Sequence, residues 1–474
     1  MLVIGLDIGT TGTKALVVDE TGTIYGHGYQ EYGLITAPGG QVTQSAKDWQ
    51  DATVHAIQTA VSSVDASEIV AIGISTQGAS MAVCERVEDA GLVYTWMDGR
   101  AVEQVKTLGE TVGYDAFYKK TGWSLFAGGD AAKLLWLKEN GLFGGTEKLV
   151  STLSYINHFL TGQFVSDPTN SAIRQFYNIQ TQAYDTEILN YLGITEENLP
   201  KVQPTGSLVG GVLPAIAQRL GIPAGTPVFN GAHDQYCAAI GCGVTNVGDM
   251  MLATGTTWVV LGVTNKPIYT RSGICPGVHP AGNYGAMASQ VNAGSALKWF
   301  KEQIGDSYKE IDRVAATRAE NCQDLFWIPY LAGAGFPSAD PQKRATIHGL
   351  SLHHDKYDMA RALMEGVAFE ARRSLMEYQK AGMPTGRLMM AGGAAKSDFW
   401  VNVVAATLPE WELYISECAD AAPVGAAIFA LKGAGAIASL SDAPNLTCCR
   451  KVSPPSSGEV AYYKEKFAKY LALL

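Results

Sequence analysis

The first residues whose types and spacing could do chemistry are Asp7 and the turn Gly9-Thr10-Thr11-Gly12-Thr13-Lys14. They lie between the apolar runs 2–8 and 15–18. A turn with two glycines and three threonines is dense in backbone N–H and hydroxyl groups and carries little bulk. Such a turn can wrap an anion, because N–H groups converge where no side chain intervenes. A carboxylate beside a phosphate cradle is repulsive unless a cation lies between them, so Asp7 suggests Mg²⁺. The same residues also read as an ordinary hairpin, with Asp19-Glu20-Thr21-Gly22 as the next connection.

The pattern returns later in the chain. Met250 to Ala253 is an apolar run, Thr254-Gly255-Thr256-Thr257 is a second Gly/Thr turn, and Trp258 to Leu261 is apolar again. A repeat of strand, turn and strand implies two copies of one architecture, with two anion cradles able to hold one nucleotide. A third glycine turn follows Arg387 to Ala391, in Gly392-Gly393-Ala394-Ala395-Lys396-Ser397. There, two glycines let a flat ring or a phosphate lie against backbone.

Polar groups also collect where apolar runs end. Ile69 to Ile74 stops at Ser75-Thr76-Gln77-Gly78, and ligands gather at such carboxyl ends in open α/β sheets. Val93 to Trp96 leads into Met97-Asp98-Gly99-Arg100. Trp96, Asp98 and Arg100 offer a polar ligand an apolar wall, an acceptor and a donor, and each also suits a purely structural role. Pro227 to Gly231 stops at Ala232-His233-Asp234-Gln235, ahead of a helix. Asp234 reads either as an N-cap or as a catalytic base facing a cleft.

These groups need elements to position them. Helical spacing is expected over 49–61, 133–137, 155–160 and 358–380, the last stopped by Gly382 and Pro384. Trp411 to Ile415 reads as a strand and Pro423 to Leu431 as a closely packed small-residue helix. The length of 474 residues calls for two or more domains. The link at Gly241 to Thr245 sets the expected domains at 1–243 and 244–474.

The balance of charge and the spacing of motifs exclude several classes. A net charge of −10 argues against nucleic acid as a partner. No apolar run reaches the ~18–20 residues of a membrane span. Eight dispersed cysteines without a C-x-x-C pair, and no leader pattern, lead us to expect reduced thiols in a cytoplasmic protein. The dispersed histidines offer no His-based metal site. There is no Walker loop, no dinucleotide fingerprint and no nucleophile elbow.

In order along the chain, D-I-G-T-T-G-T-K, G-A-H-D-Q, T-G-T-T, P-Y-L-A-G and G-G-A-A-K-S-D-F-W resemble the FGGY carbohydrate kinases, the sugar and polyol kinases. The resemblance runs from Ile4 to about Leu431. It implies an α/β fold of two ribonuclease H-like domains of the actin and hexokinase superfamily, closing on ATP and a sugar. The N-terminal domain would hold the sugar and the first phosphate loop, the C-terminal domain ATP. Asp7 would hold Mg²⁺ through water. Gly9, Thr10, Thr11, Thr13 and Lys14 would form the first phosphate loop, and Thr254, Gly255, Thr256 and Thr257 the second. Gly392, Gly393, Lys396 and Asn402 would line the adenosine site. Asp234 would be the general base, with Gln77, Gly78, Trp96, Asp98, Asp234 and Gln235 around the sugar. A homodimer is the family habit, and no interface is legible.

The sugar residues are mixed. Xylulokinases usually carry Gln-Met-His where this chain has Gln77-Gly78-Ala79, and glycerol kinases carry an Arg-Glu pair that is missing here. Trp96 to Arg100 looks xylulokinase-like, and Asp234-Gln235 looks glycerol kinase-like. A pentulose such as D-xylulose is the first expectation, followed by other ketoses, polyols (glycerol, erythritol) and sugar acids (gluconate). An actin-like ATP-binding sensor or assembly protein is the alternative outside catalysis. Such a protein needs the phosphate loops but no base at Asp234.

Overall fold

The computed structural model describes residues 1–418 and 420–474, which form two compact units. The first unit contains Met1–Thr245, Cys275–Tyr284 and Asp420–Thr447; the second contains residues 246–274, 285–418 and 448–474. The division expected after residue 243 differs from this packing chiefly at its C-terminal side. Residues 420–447 lie in sequence between two segments of the second unit and pack with the first.

In the first unit, Leu2–Ile8 (β1) and Gly12–Asp19 (β2) form the expected hairpin, and Ile24–Glu31 (β3) pairs beyond β2. Ile69–Thr76 (β4) runs parallel to β1. Leu208–Gly211 (β5) pairs antiparallel with Pro227–His233 (β6), which is parallel to β4. The sheet order is β5-β6-β4-β1-β2-β3. Register places Asp7 opposite Ser75, and Ser75 opposite Ala232. The carboxyl ends of three parallel strands therefore finish level. A smaller sheet of Ile35–Ala37, Gln41–Ser45, Leu92–Tyr94, Met81–Cys84 and Lys148–Ser151, in that order, carries Gln44 and leads into Trp96.

Both faces of the large sheet are covered, which is why its central strands are apolar throughout. Ile4, Leu6 and Ile8 share a core with Trp49, Ala56 and Ile57 of the helix Ala46–Val61. Alternation along β1 turns Gly5 to the other side, where the helix Ala421–Gly433 lies directly on the backbone. A Cβ at Gly5 would come within 1.9 Å of Pro423 O, and one at Gly73 of β4 within 1.8 Å of Ala426 O. The expected helix Pro423 to Leu431 is thus two residues longer at each end, and it sits where only glycine admits it.

The second unit repeats the arrangement. Met250–Thr254 (β7) and Trp258–Thr264 (β8) form a hairpin, Tyr284–Gln290 (β9) lies beyond β8, and Arg387–Gly392 (β10) runs parallel to β7. Glu412–Ser416 (β11) and Cys449–Lys451 (β12) complete the order β9-β8-β7-β10-β11-β12. The helix Lys356–Lys380 is capped by Asp355 in a capping box and is buried along most of its length. Inside it, Glu365 accepts from Arg361 Nε at 2.8 Å and from Lys466 Nζ at 2.5 Å. That buried pair of cations on one carboxylate joins the helix to Ser457–Leu471.

Gly73→Ala is expected to lower the unfolding free energy by about 2 kcal/mol or more, since backbone must move to admit one methyl group. Chemical denaturation checks this, and an unchanged midpoint would contradict the close approach.

Candidate functional site

The loop after β1 is held from behind. Gly9 N–H donates to Gly12 O at 3.0 Å and closes the turn. Three successive carbonyls are tied back: Gly9 O accepts from the Tyr32 hydroxyl at 2.6 Å, Thr10 O from Gln44 Nε2 at 2.6 Å, and Thr11 O from Tyr32 N–H at 3.1 Å. Among the described residues, none accepts the N–H of Thr10 or Thr11. The turn is therefore a set of donors without protein acceptors, as an anion cradle requires. Thr13 and Lys14, expected in the loop, belong instead to β2, because pairing of Asp7 with Lys14 and Ile8 with Thr13 continues up to the turn. Thr13 is fully buried. Lys14 Nζ donates to Asp420 Oδ1 at 2.5 Å, and His27 Nε2 lies 3.4 Å from Asp420 Oδ2.

Asp7 sits at the end of β1 and accepts a hydrogen bond from Ser75 Oγ at 2.6 Å. Burial, and then the charge of Asp234, push its carboxyl up to about 7. Asp234 opens the helix Asp234–Gly241, whose N-cap is His233, so the capping role falls to another residue. Its Oδ1 is buried without a hydrogen bond, 3.3 Å from His233 Nε2. The amide oxygen of Gln235 is likewise buried and unpartnered. Two mutually repelling carboxylates beside an anion cradle fit a hard cation with oxygen ligands. Mg²⁺ takes one or two carboxylates and fills its remaining positions with water and phosphate. Among the described residues, no group of three or more His, Cys, Asp or Glu gathers as a metal cluster.

The neighbouring wall is clamped from the core. Lys133 is 2% exposed and donates to the carbonyls of Ala79, Tyr94 and Thr95 at 2.6, 2.9 and 3.2 Å. Burial lowers its pKa from the ordinary lysine range despite the facing Asp130, 3.0 Å away. This clamp orients the segments that carry Gln77, Gly78 and Trp96. Gly78 lies under the His233 ring, with room for no Cβ. Trp96 is 43% exposed and donates its indole N–H to Thr10 Oγ1 at 3.1 Å. Asp98, expected as an acceptor for substrate, instead takes both Arg100 Nε at 2.9 Å and Nη2 at 2.7 Å, and also Val42 N–H. Arg100 stacks 4.3 Å from the Trp136 ring centroid. These two residues brace the wall.

In the second unit, a cavity of about 550 Å³ brings Thr254, Gly255 and Thr256 together with Gly393 and Lys396. Its walls are mainly apolar, from Leu297, Ile311, Met364 and Trp400, and Lys298, Tyr308, Asp312 and Ser397 add polar groups. Gly393 N–H donates to Thr254 O at 2.9 Å, so the two glycine turns are stitched together. Gly392, at φ +101°, makes the bend that permits it. Thr257 and Gly392 are outside the lining. Asn402 lines a separate cavity of about 530 Å³ with Asp398 and Phe399. One turn along the helix Asp398–Thr407 puts Asn402 on the face of Asp398. Ser397 caps that helix and donates to Asp312, whose carboxyl burial raises above the usual range. Gly294 also lines the first cavity. Its signal in the sequence is a Gly-Ser pair that opens an amphipathic helix, Gly294–Ile304.

With Asp7 neutral below pH 7 in the folded chain and ionised from about pH 4 in the unfolded one, stability falls as pH rises through that window. Without divalent cations, Asp7→Asn is therefore expected to be more stable than the parent at pH 8, by up to about 4 kcal/mol. The gap should close near pH 4. Denaturation at the two pH values checks this, and a gap independent of pH would contradict it.

The model for the FGGY family of carbohydrate kinases matches its N-terminal domain to residues 2–241 and its C-terminal domain to residues 250–434. A xylulose kinase of Bacillus subtilis is 26% identical over 452 residues, covering 93% of this chain and 90% of the relative. The structure of a ligand-bound xylulose kinase from Lactobacillus acidophilus superposes with a TM-score of 0.92 at 26% identity, over 100% of this chain and 97% of that one. A gluconate kinase from the same organism superposes with a TM-score of 0.91 at 27% identity, over 100% and 97%. The two-domain α/β fold expected from the repeat is the fold of these proteins.

Proposed function

We propose that this chain, which belongs to the FGGY family of carbohydrate kinases, transfers the terminal phosphoryl group of ATP to a hydroxyl of a small sugar, most simply a pentulose such as D-xylulose. The observation that carries this reading is Asp234. Its carboxylate is at the carboxyl end of a parallel strand, is not used as a cap, and has an oxygen with no hydrogen bond in the protein. An ATP-driven sensor or assembly protein has no need of such a group.

Phosphoryl transfer asks the protein for alignment and charge stabilisation more than for covalent work. In the first unit, Asp234 accepts the proton of the attacking sugar hydroxyl as the bond to phosphorus forms. The N–H groups of Thr10 and Thr11 donate to phosphate oxygens, and Gln77, Gly78, Trp96 and Gln235 orient the sugar. In the second unit, the apolar cavity takes the adenosine, with Thr254, Gly255, Thr256 and Gly393 offering backbone close to the phosphates. Asp7 would hold Mg²⁺, which when bound would supply positive charge against the phosphate oxygens. Xylulose kinases among the relatives support a pentulose. The gluconate kinase likeness supports a sugar acid as the second substrate class.

Three outcomes test the reading. ADP release by the purified protein with Mg²⁺, measured across pentuloses, hexuloses, polyols and sugar acids, should be stimulated by one compound; a flat response with nucleotide still bound would overturn the kinase reading. Asp234→Asn should lower kcat by about 10²–10⁴-fold while the nucleotide Kd stays within about twofold of the parent. Equal turnover would remove Asp234 from its role. Asp7→Asn should instead raise the Mg²⁺ concentration needed for half-maximal rate.

A further inference from the structure

Behind the first loop lies a closed ring of hydrogen bonds. Thr10 Oγ1 donates to Gln77 Oε1 at 3.2 Å, Gln77 Nε2 donates to Gln44 Oε1 at 2.9 Å, and Gln44 Nε2 donates to Thr10 O at 2.6 Å. Three bonds enter or anchor it from outside. Trp49 Nε1 donates to Gln44 Oε1 at 3.3 Å, Gln77 N–H donates to Ile8 O at 2.9 Å, and Trp96 Nε1 donates to Thr10 Oγ1 at 3.1 Å. Gln44 is 1% exposed and Gln77 2%. Both ends of the Gln44 amide are assigned by fixed partners, an indole N–H on its oxygen and a carbonyl on its nitrogen. Turning the amide over would set oxygen against oxygen and N–H against N–H.

The ring joins two places that the kinase reading uses separately. Thr10 belongs to the phosphate loop, and Trp96 is the half-exposed wall of the sugar site. The single hydroxyl proton of Thr10 is directed at Gln77, and its lone pair takes the Trp96 indole. Gln44 is buried behind both places. It holds the Thr10 carbonyl on the side away from the loop's donors, so the direction of those donors depends on it. A shift of the Trp96 ring is felt at Thr10 Oγ1, and a shift of the loop is felt at the Trp96 indole. Buried networks of this kind move as a unit, because breaking one bond leaves a buried polar group unpaired.

We propose that Gln44 is a positioning residue that locks the first loop to the Trp96 wall, so that occupancy of the loop and occupancy of the wall are energetically coupled through this ring. The proposal rests on the kinase reading for the identity of the two ligands, and on the hydrogen bonds alone for the coupling.

The test uses the full chain in four forms: parent, Gln44→Leu, Trp96→Phe and the double variant. A nonhydrolysable ATP analogue with Mg²⁺ is titrated first without sugar. The Trp96 signal is the fluorescence change of the parent minus that of Trp96→Phe. A change on nucleotide binding in the parent, reduced at least about threefold in the Gln44→Leu background, is expected. Then the analogue Kd is measured with and without saturating D-xylulose, or the compound that most stimulates ADP release. The parent should show coupling of about 5–10-fold, falling below about twofold in either single variant, and the double variant should lose little more than one single variant does. Unchanged coupling in both single variants, or losses of coupling that simply add, would overturn the proposal. Trp96→Phe keeps an exposed aromatic ring and tests the ring of bonds even if Gln44→Leu fails to fold. If no compound stimulates ADP release, the kinase reading fails and the fluorescence arm still decides whether the loop and the wall move together.

Discussion

A buried carboxyl group that faces a second carboxylate is the most demanding feature of the first unit. Asp7 is placed there by register, since the strands β1, β4 and β6 end level and Asp234 follows directly on the last of them. The surrounding protein stabilises this placement only in part, through the Ser75 hydroxyl and the more distant Lys14. Lys14 itself is turned toward Asp420. A small divalent cation, as the proposed function places there, would relieve the residual repulsion.

Rigidity around that pair comes from bonds to carbonyl groups. Lys133 holds three carbonyls of the wall, and Tyr32 and Gln44 hold three of the loop. In both places side chains from the core fix the main chain and leave the functional face free. A site that must align two reactants gains from this arrangement, because the groups facing them need no reorganisation of their own.

The hairpins, the repeated Gly/Thr turn and the long helix near the C-terminus were legible because their apolar runs are long and their turns carry unusual residues. Asp7, Thr10, Gln77, Trp96 and Asp234 drew attention in the sequence because they stand at the ends of such runs. Other features depend on partners far away in the chain. Asp98 is an acceptor by type, yet Arg100 and Val42 N–H occupy it, which only the folded wall determines. Lys133 opens a run expected as the apolar face of a helix, and it is a buried clamp. Gln44 has partners at positions 10, 49 and 77, and nothing local marks it. The strand β3 has too little apolar character to stand out. Its Gly26 and Gly28 are there because the carbonyls of Ala60 and Ala56 would lie 2.0 and 1.9 Å from a Cβ. Asn402 followed the family pattern, and the helix turned it toward another cavity.

The helix that rests on Gly5 and Gly73 has a consequence for the order of assembly. It reaches the first unit from beyond residue 418, so the first sheet cannot cover its second face until residues 421–433 have been made. Until then the face of β1 and β4 that carries Gly5 and Gly73 lacks its covering helix. Domains usually fold as they emerge. Here the last quarter of the chain closes what the first quarter begins, which makes folding of the first unit a long-range event and raises its loop-closure cost.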